Sequence, residues 1–560
     1  FVHGSETASA RAMAVVVADP YSTGGRLPIL LSERGFDVIA LWTAEARDLE
    51  DHVGEATRVW IEKTGYKGVV REGTMTIEEI AKALKAAAGK ESIKAVLCGG
   101  ESGVNVVDAL AEHMHLPGNG VAPWTGGRRD KGVQQDALRA TGIRAVRGVS
   151  GTTWSGAVEE FCKTEEMPIV LKPVESAGSD GVKLCATVEE AEDHFRRLMN
   201  SQRALGAHGA AVIAQEFLKG SEYVVDHVTK DGTHKTMMVW KYDKRPRNGS
   251  QFVYFGMYPV NPVSAIAQSL IQYTRCAITA LKITNGATHT EVMMTSEGPC
   301  LVEVNCRVHG LSGQWLPLAS ALTGSYNQCT AYVDSALDPE AWEKIPPIPP
   351  YPFAGSGCVV EFVSYCEGTV AARPGYEAIR ALRSFCSLDE VVKVGDRITK
   401  TIDLFTQPGN CILIHTDEEA RASLVTAHLH GEAPTDPSPR SKVLAKDVAA
   451  IRALEESNGM FDIEGGNPPP LDDRELSAIH ERGSKRISKG DRHPAMLMGD
   501  TTEMEVLMAQ VNHYIEELEH AQKKHSILAM ALAATACALG ACVLHGAAVM
   551  AGRLASTRRG

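Results

Sequence analysis

The stretch Leu301-Val302-Glu303-Val304-Asn305-Cys306-Arg307 leaves this chain few ways to fold. Its alternation puts Glu303, Asn305 and Arg307 on one face of a strand and Val302, Val304 and Cys306 on the other. Gly298-Pro299 and Gly310 bound the run. It reads as a buried strand, so three polar groups on one face need a reason. Glu291 lies 12 residues earlier, across a Ser296-Glu297-Gly298-Pro299 turn, and can face Glu303 on a paired strand. Two carboxylates and an amide oxygen are hard ligands suited to a divalent cation such as Mg²⁺. A half-solvated hairpin with a Glu–Arg ion pair fits the same local pattern. The order of features upstream has to choose between them.

A chain of 560 residues has room for roughly three or four domains. It is 44% hydrophobic and 22% charged, which supports packed cores. A net charge of −12 argues against a nucleic-acid-binding surface as its main business. The 13 Cys include no CxxC pair and no zinc spacing, and read as free thiols of a reducing compartment.

Residues 14–18 read as a buried parallel strand. Strands at 36–42, 68–70 and 95–98 alternate with helical patterns at 27–31, 76–88 and 103–114. This is a βαβ series, hence a doubly wound open sheet. No GxGxxG is present, so no dinucleotide site is read there. The turn Gly99-Gly100-Glu101-Ser102-Gly103 is either an anion cradle at a helix start or a plain connection. Lys131 opens a helix. A strand from Met167 ends in Lys172-Pro173, and Ser176-Ala177-Gly178-Ser179-Asp180-Gly181 links it to another strand. Such a loop lets backbone amides approach phosphates closely. Val212–Leu218 is a strand leading to Glu222, and Asp231-Gly232 is a hairpin turn. A long helix at about 263–281 precedes the opening stretch.

Lysine at a helix start, strand-Lys-Pro, Gly-rich loop, Gln215-Glu216-Phe217-Leu218, Glu222 and then Glu291 … Glu303-x-Asn305-x-Arg307 form an ordered set. That order resembles the ATP-grasp superfamily of ATP-dependent carboxylate ligases, over about residues 12–430. Val239–Pro246, His289-Thr290-Glu291-Val292 and Val302–Gly310 look most like the carboxylate–amine ligases that join amino acids into dipeptides. The resemblance implies an α/β fold with an N-terminal sheet domain (12–122), a two-lobed ATP-grasp domain (123–343), a Pro-rich linker (344–356) and a β-rich module (357–430). It implies ATP as nucleotide and Mg²⁺ or Mn²⁺ as metal. Lys131, Lys172 and Ser179 would meet the phosphates; Gln215, Glu216 and Leu218 the adenine; Glu222 the ribose. Glu291, Glu303 and Asn305 would bind metal. Arg307 and His289 would face the reacting carboxylate, with Lys241 as a further candidate beside Lys244 and Arg245. The partners implied are a small-molecule carboxylate and an amine, and a homodimer is left open. An ATP-grasp carboxylase and a non-catalytic, membrane-tethered nucleotide-binding scaffold are the competing readings.

Beyond the resemblance, residues 431–500 carry Pro-rich and charged runs and read as a partly disordered linker. Residues 501–524 keep a 3–4 apolar spacing, hence an amphipathic helix. Residues 527–551 are 25 consecutive residues without Asp, Glu, Lys or Arg, between Lys523-Lys524 and Arg553. That length can span a bilayer. The expectation is a C-terminal membrane anchor with the catalytic domains on the cytosolic or stromal side.

Overall fold

The run Met13-Ala-Val-Val-Val-Ala18 forms β1, and from Ala14 onward every side chain is buried. It can be buried on both faces because its residues are small and apolar. Val15 and Val17 pack on one side; Ala14, Val16 and Ala18 pack on the other. Its parallel partners are β2 (Asp37–Trp42) and β4 (Ser92–Cys98), with β3 (Gly68–Arg71) outside β2, giving the order β3-β2-β1-β4. Helices α1 (Arg26–Glu33) and α2 (Glu55–Lys63) bury Leu27, Leu31 and Trp60 in the first core. α3 (Ile77–Ala88), opened by a Thr76/Glu79 capping box, and α4 (Val104–His113) bury Ile80, Leu84 and Leu110 in the second. The doubly wound sheet expected from the sequence is therefore present. This is a computed structural model, and it describes residues 13–121, 128–174, 181–200, 211–415 and 442–464.

Asp19 ties the ends of this sheet together. It sits just beyond β1 with φ 52°, fully buried, and accepts from Thr43 N (2.8 Å), Thr43 Oγ1 (2.7 Å) and Ser102 Oγ (2.6 Å). Burial nonetheless pushes its carboxyl up to about 6, partly offset by those hydrogen bonds. The two loops touch backbone to backbone. A Cβ on Gly24 would stand 2.2 Å from Gly99 O, so only glycine fits.

α5 (Lys131–Ala140) follows, with Asp130 capping Gly132 N and Val133 N. A small antiparallel sheet comes next. It contains β5 (Gly148–Gly151), β6 (Ile169–Pro173), β7 (Lys183–Cys185) and β8 (Val212–Glu216), in the order β5-β8-β6-β7. Its core is closed by α6 (Ala157–Thr164) and α7 (Val188–Asn200).

β9 (Gly220–Lys230) and β10 (Thr233–Arg247) form the hairpin at Asp231-Gly232, where both residues have positive φ. β11 (Ser250–Pro259), which the sequence reading did not anticipate, returns beside β10. After α8 (Ala265–Ala280), β12 (Gly286–Thr295) and β13 (Gly298–Asn305) make the ribbon read from the alternation. Helices α9 (Leu316–Thr323), α10 (Gln328–Leu337) and α11 (Pro339–Lys344) then lead to the Pro-rich segment.

That segment is packed down. Lys235 Nζ donates to Ile345 O (2.8 Å) and Thr236 N to Pro347 O (2.9 Å). Nor does it separate two sheets. β14 (Ser356–Glu361), β16 (Phe385–Glu390) and β18 (Gly409–His415) continue the large sheet, whose order is β13-β12-β9-β10-β11-β14-β18-β16. β15 (Gly368–Ala372) and β17 (Arg397–Ile398) start a small separate sheet, and α12 (Pro374–Arg380) connects β15 to β16.

The expectation of a linker over 431–500 is corrected in part. Residues Lys442–Glu456 form α13, and Asp462–Glu464 form β19, which pairs with β15. Leu444 and Ile451 of α13 are buried in the C-terminal core, with Val448 packed against it, so a 3–4 apolar spacing was hidden among charged neighbours. Among the described residues no helix is long and apolar enough to cross a membrane; the segments 501–524 and 527–551 lie outside them.

Candidate functional site

The register of β12 on β13 sets the site. Glu291 pairs directly with Glu303, and His289 with Asn305. Directly opposed residues in an antiparallel pair share a face, so two carboxylates and an amide meet on one side of the ribbon. Its other side carries Val292 and Val304, both buried in a hydrophobic core.

Over this floor lies a cleft of about 150 Å³ between the small four-stranded sheet and the large sheet. Val146, Val170 and Val182 line it from one lobe, Met293 and Leu301 from the other. Gln215, Glu216, Phe217 and Leu218 form its back, where the chain crosses between the lobes. Its polar end gathers three lysines and three glutamates: Lys131, Lys172, Lys244, Glu222, Glu291 and Glu303. Lys131 Nζ is 2.7 Å from Glu303 Oε2, and Lys244 Nζ is 2.6 Å from Glu222 Oε1. A slot with apolar walls and a cluster of lysines at one end suits a nucleotide with its phosphates on the lysines.

Similarity to known proteins points the same way. A family described as the ATP-grasp domain matches residues 165–314. Dapdiamide A synthase of Enterobacter agglomerans is 29% identical over 325 residues, 58% of this chain and 75% of that protein. Alanine–anticapsin ligase of Bacillus subtilis is 26% identical over 254 residues, 42% of this chain and 52% of the relative. The chain thus spans about three quarters of one relative and half of the other. The crystal structure of an L-amino acid ligase from Bacillus licheniformis superposes with a TM-score of 0.55 at 17% identity, covering 76% of this chain and 98% of that one. The chain carries the ATP-grasp fold of the carboxylate–amine ligases.

Electrostatics in this ATP-grasp ligase separate the lysines. Burial works against the charge on Lys131, but the Glu303 carboxylate outweighs it and holds the ammonium charged. Lys172 has no such contact. Burial, with Lys131 nearby, pushes it down to about 8. Burial also opposes the charge on Glu291, yet its contact with His289, and Lys244 and Lys131 nearby, hold it well below the usual carboxylate range. Burial raises the Glu222 carboxyl, and Lys244 opposes that shift.

Two sequence expectations are changed by the geometry. Lys241 pairs with Tyr223 and Tyr258, and Tyr223 pairs with Val292. It therefore stands on the sheet face opposite Glu291. Lys244, beyond a bulge in the β10–β11 pairing, takes the place on the site face, its Nζ 4.3 Å from the Tyr254 ring centroid. His289 does not aim into the cleft. Its Nδ1 is 3.2 Å from Asp226 Oδ1 and its Nε2 is 3.2 Å from Glu291 Oε1, so both ring nitrogens are taken. Burial opposes its charge, but these two carboxylates raise it to about 9.

The remaining expected residues are distributed along the site. Arg307 lies past the end of β13, its Nη2 3.4 Å from Asn305 Oδ1 and its Nε 3.0 Å from Glu101 Oε2. The Gly99–Gly103 turn thus presents an acid to Arg307, which argues against an anion cradle there. Glu216, which lines the cleft, has its carboxylate engaged by Arg147 at 2.6 Å. Ser179 lies outside the described residues. For a metal, the donor set of Glu291, Glu303 and Asn305 is all oxygen, which fits Mg²⁺ or Mn²⁺ and not a thiophilic ion. Asp226, His309, Tyr242 and Glu101 were not singled out as site residues from the sequence. Asp226 and His309 had one faint signal, a charge and a ring inside otherwise apolar strand and turn sequence.

Proposed function

We propose that the protein activates an amino-acid carboxylate as an acyl phosphate with ATP and transfers the acyl group to the amine of a second amino acid. The single observation that carries this is the floor of the cleft, where Glu291 and Glu303 face each other beneath Lys131, Lys172 and Lys244. A carboxylate is a weak electrophile. Its oxygen attacks the γ-phosphorus of ATP, the bond to the β–γ bridging oxygen breaks, and ADP leaves. The amine then attacks the acyl carbon, inorganic phosphate departs with the bonding pair, and the amine loses a proton as the amide forms. Lys131 and Lys172 hold the phosphate oxygens and offset their charge. Arg307 holds the carboxylate that becomes the acyl phosphate. Glu222 binds the ribose, and the backbone at Gln215–Leu218 binds the adenine. Glu291, Glu303 and Asn305 hold Mg²⁺ or Mn²⁺, which neutralises charge on the phosphates when bound. Walls of Val146, Val170, Met293 and Leu301 exclude water from an intermediate that water would destroy.

The test is phosphate release from ATP across a panel of amino-acid pairs, with the product identified by mass spectrometry. Release that depends on both an acid and an amine, with a dipeptide as product, supports the reading. Nucleotide binding without release for any pair sinks it and favours a scaffold. The uncharged run 527–551 supports a second element of the proposal, a membrane anchor. Recovery of the full chain in the soluble fraction without detergent would exclude it.

A further inference from the structure

Behind the metal floor lies a hydrogen-bonded group of side chains that the proposed chemistry does not use. Asp226 is at its centre, fully buried on β9. Its Oδ2 accepts from Trp240 Nε1 at 2.8 Å and contacts His309 Nδ1 at 3.0 Å. Its Oδ1 contacts His289 Nδ1 at 3.2 Å. The histidines go on outward. His289 Nε2 reaches Glu291 Oε1 at 3.2 Å, and His309 Nε2 reaches Tyr242 Oη at 3.3 Å. The imidazoles lie 4.0 Å apart, and His309 stacks on Trp315 at 4.9 Å.

The donors and acceptors can be assigned. A carboxylate only accepts, so both Nδ1 atoms carry hydrogen. Glu291 also only accepts, so His289 donates from Nε2 as well. His309 Nε2 is then free to accept the Tyr242 hydroxyl hydrogen. One carboxylate thereby fixes the ring plane and the hydrogen placement of two imidazoles, and one of these holds a carboxylate oxygen of the floor.

We infer that Asp226 is a positioning residue that, through His289, holds Glu291 in the orientation in which it receives the divalent cation. A flexible glutamate at a metal site loses affinity to its own rotamers; one locked by an outer partner does not. Asp226, His289 and His309 also bring three ligand atoms within 4.8 Å of one another, as a metal site would. Each is already bonded to a donor or acceptor of the group, which favours the hydrogen-bonded reading. The inference rests on the proposed metal role of Glu291.

The experiment is Mn²⁺ binding to the full chain, followed by electron paramagnetic resonance, with a non-hydrolysable ATP analogue present. Wild type should bind Mn²⁺; if it does not, the metal reading of the site itself fails. Asp226→Asn keeps the shape but turns a donor toward one imidazole. It should weaken Mn²⁺ about 10- to 100-fold and leave analogue affinity without metal within about twofold. Two variants of His289 separate positioning from packing. His289→Asn keeps a group near Asp226 but cannot reach Glu291, and should weaken Mn²⁺ like Asp226→Asn. His289→Gln keeps the far donor and should stay within about threefold of wild type. This pair decides the matter even if Asp226→Asn does not fold. Wild-type Mn²⁺ affinity in Asp226→Asn or in His289→Asn overturns the inference. So does Mn²⁺ bound by wild type without nucleotide and lost in Asp226→Asn, which would make the trio a metal site in its own right.

Discussion

The N-terminal sheet and the eight-stranded sheet treat buried charge in opposite ways. β1 is Ala and Val between apolar layers, and the acid that follows it, Asp19, is raised by burial even with three hydrogen-bond donors. The large sheet holds Asp226, Glu222 and Glu291 beside Lys244, Lys131 and His289, and there Asp226 and Glu291 are driven down. Burial opposes the anion in both sheets. The difference lies in the partners: hydroxyls and one amide in the first, cationic groups in the second. A fold needs only the first arrangement. The second costs desolvation without adding packing, which marks it as chemistry.

If that contrast is right, substitutions in the two sheets should fail differently. Glu303→Gln should lower kcat by about 10²- to 10³-fold with a cooperative melt retained. Steady-state phosphate release and calorimetry read both, and intact turnover would remove Glu303 from the site. Leu84→Ala, in the core that the N-terminal sheet shares with the underside of the β12–β13 ribbon, should cost about 3 kcal/mol of stability while the folded enzyme keeps its nucleotide affinity. A changed affinity would mean that packing in this shared core governs the floor of the cleft.

Lys244→Met should reduce kcat/KM by about 10- to 100-fold, the loss of one charge-assisted contact at a buried site. Next comes pH. Lys172 titrates near 8 in the nucleotide-free protein, below its ordinary 10.5. Below pH 8 it is already charged when triphosphate arrives. Above it, binding must draw in a proton, so affinity should fall by up to about tenfold per pH unit. Calorimetry at pH 9 in two buffers of different ionisation enthalpy would show that proton uptake. The stability sign is the reverse. Between 8 and 10.5 the unfolded chain binds the proton that the folded chain does not, so this group makes stability rise with pH. Lys241→Met, on the other face, should change kcat/KM by less than about twofold; a loss equal to that of Lys244→Met would reverse the correction made from register.

Much of the site was legible because its signal is local. Period-2 alternation and the Ser296–Pro299 turn set β12 against β13, and a bulge at Val302 completes the register that brings Glu291 to Glu303. The N-terminal sheet was legible from its apolar runs. What was lost depended on distance or irregularity. A bulge between Asp243 and Lys244 interrupts the β10–β11 register, and no residue type announces a bulge. Asp226 acquires meaning from Trp240, His289 and His309, which are 14, 63 and 83 positions away. β11 is buried on both faces at its centre and so has no alternation to read. α13 has an amphipathic pattern, but Pro-rich neighbours on both sides disguised it as linker.

The ion pairs Lys131–Glu303 and Lys244–Glu222 have a further consequence. Each basic group in them is matched by an acidic one, so these four side chains balance one another's charge and hold one another in place. Loading is then an exchange of partners. On the proposed reading, triphosphate drawn to Lys131 would free Glu303, and Glu303 would then be open to a cation arriving with it.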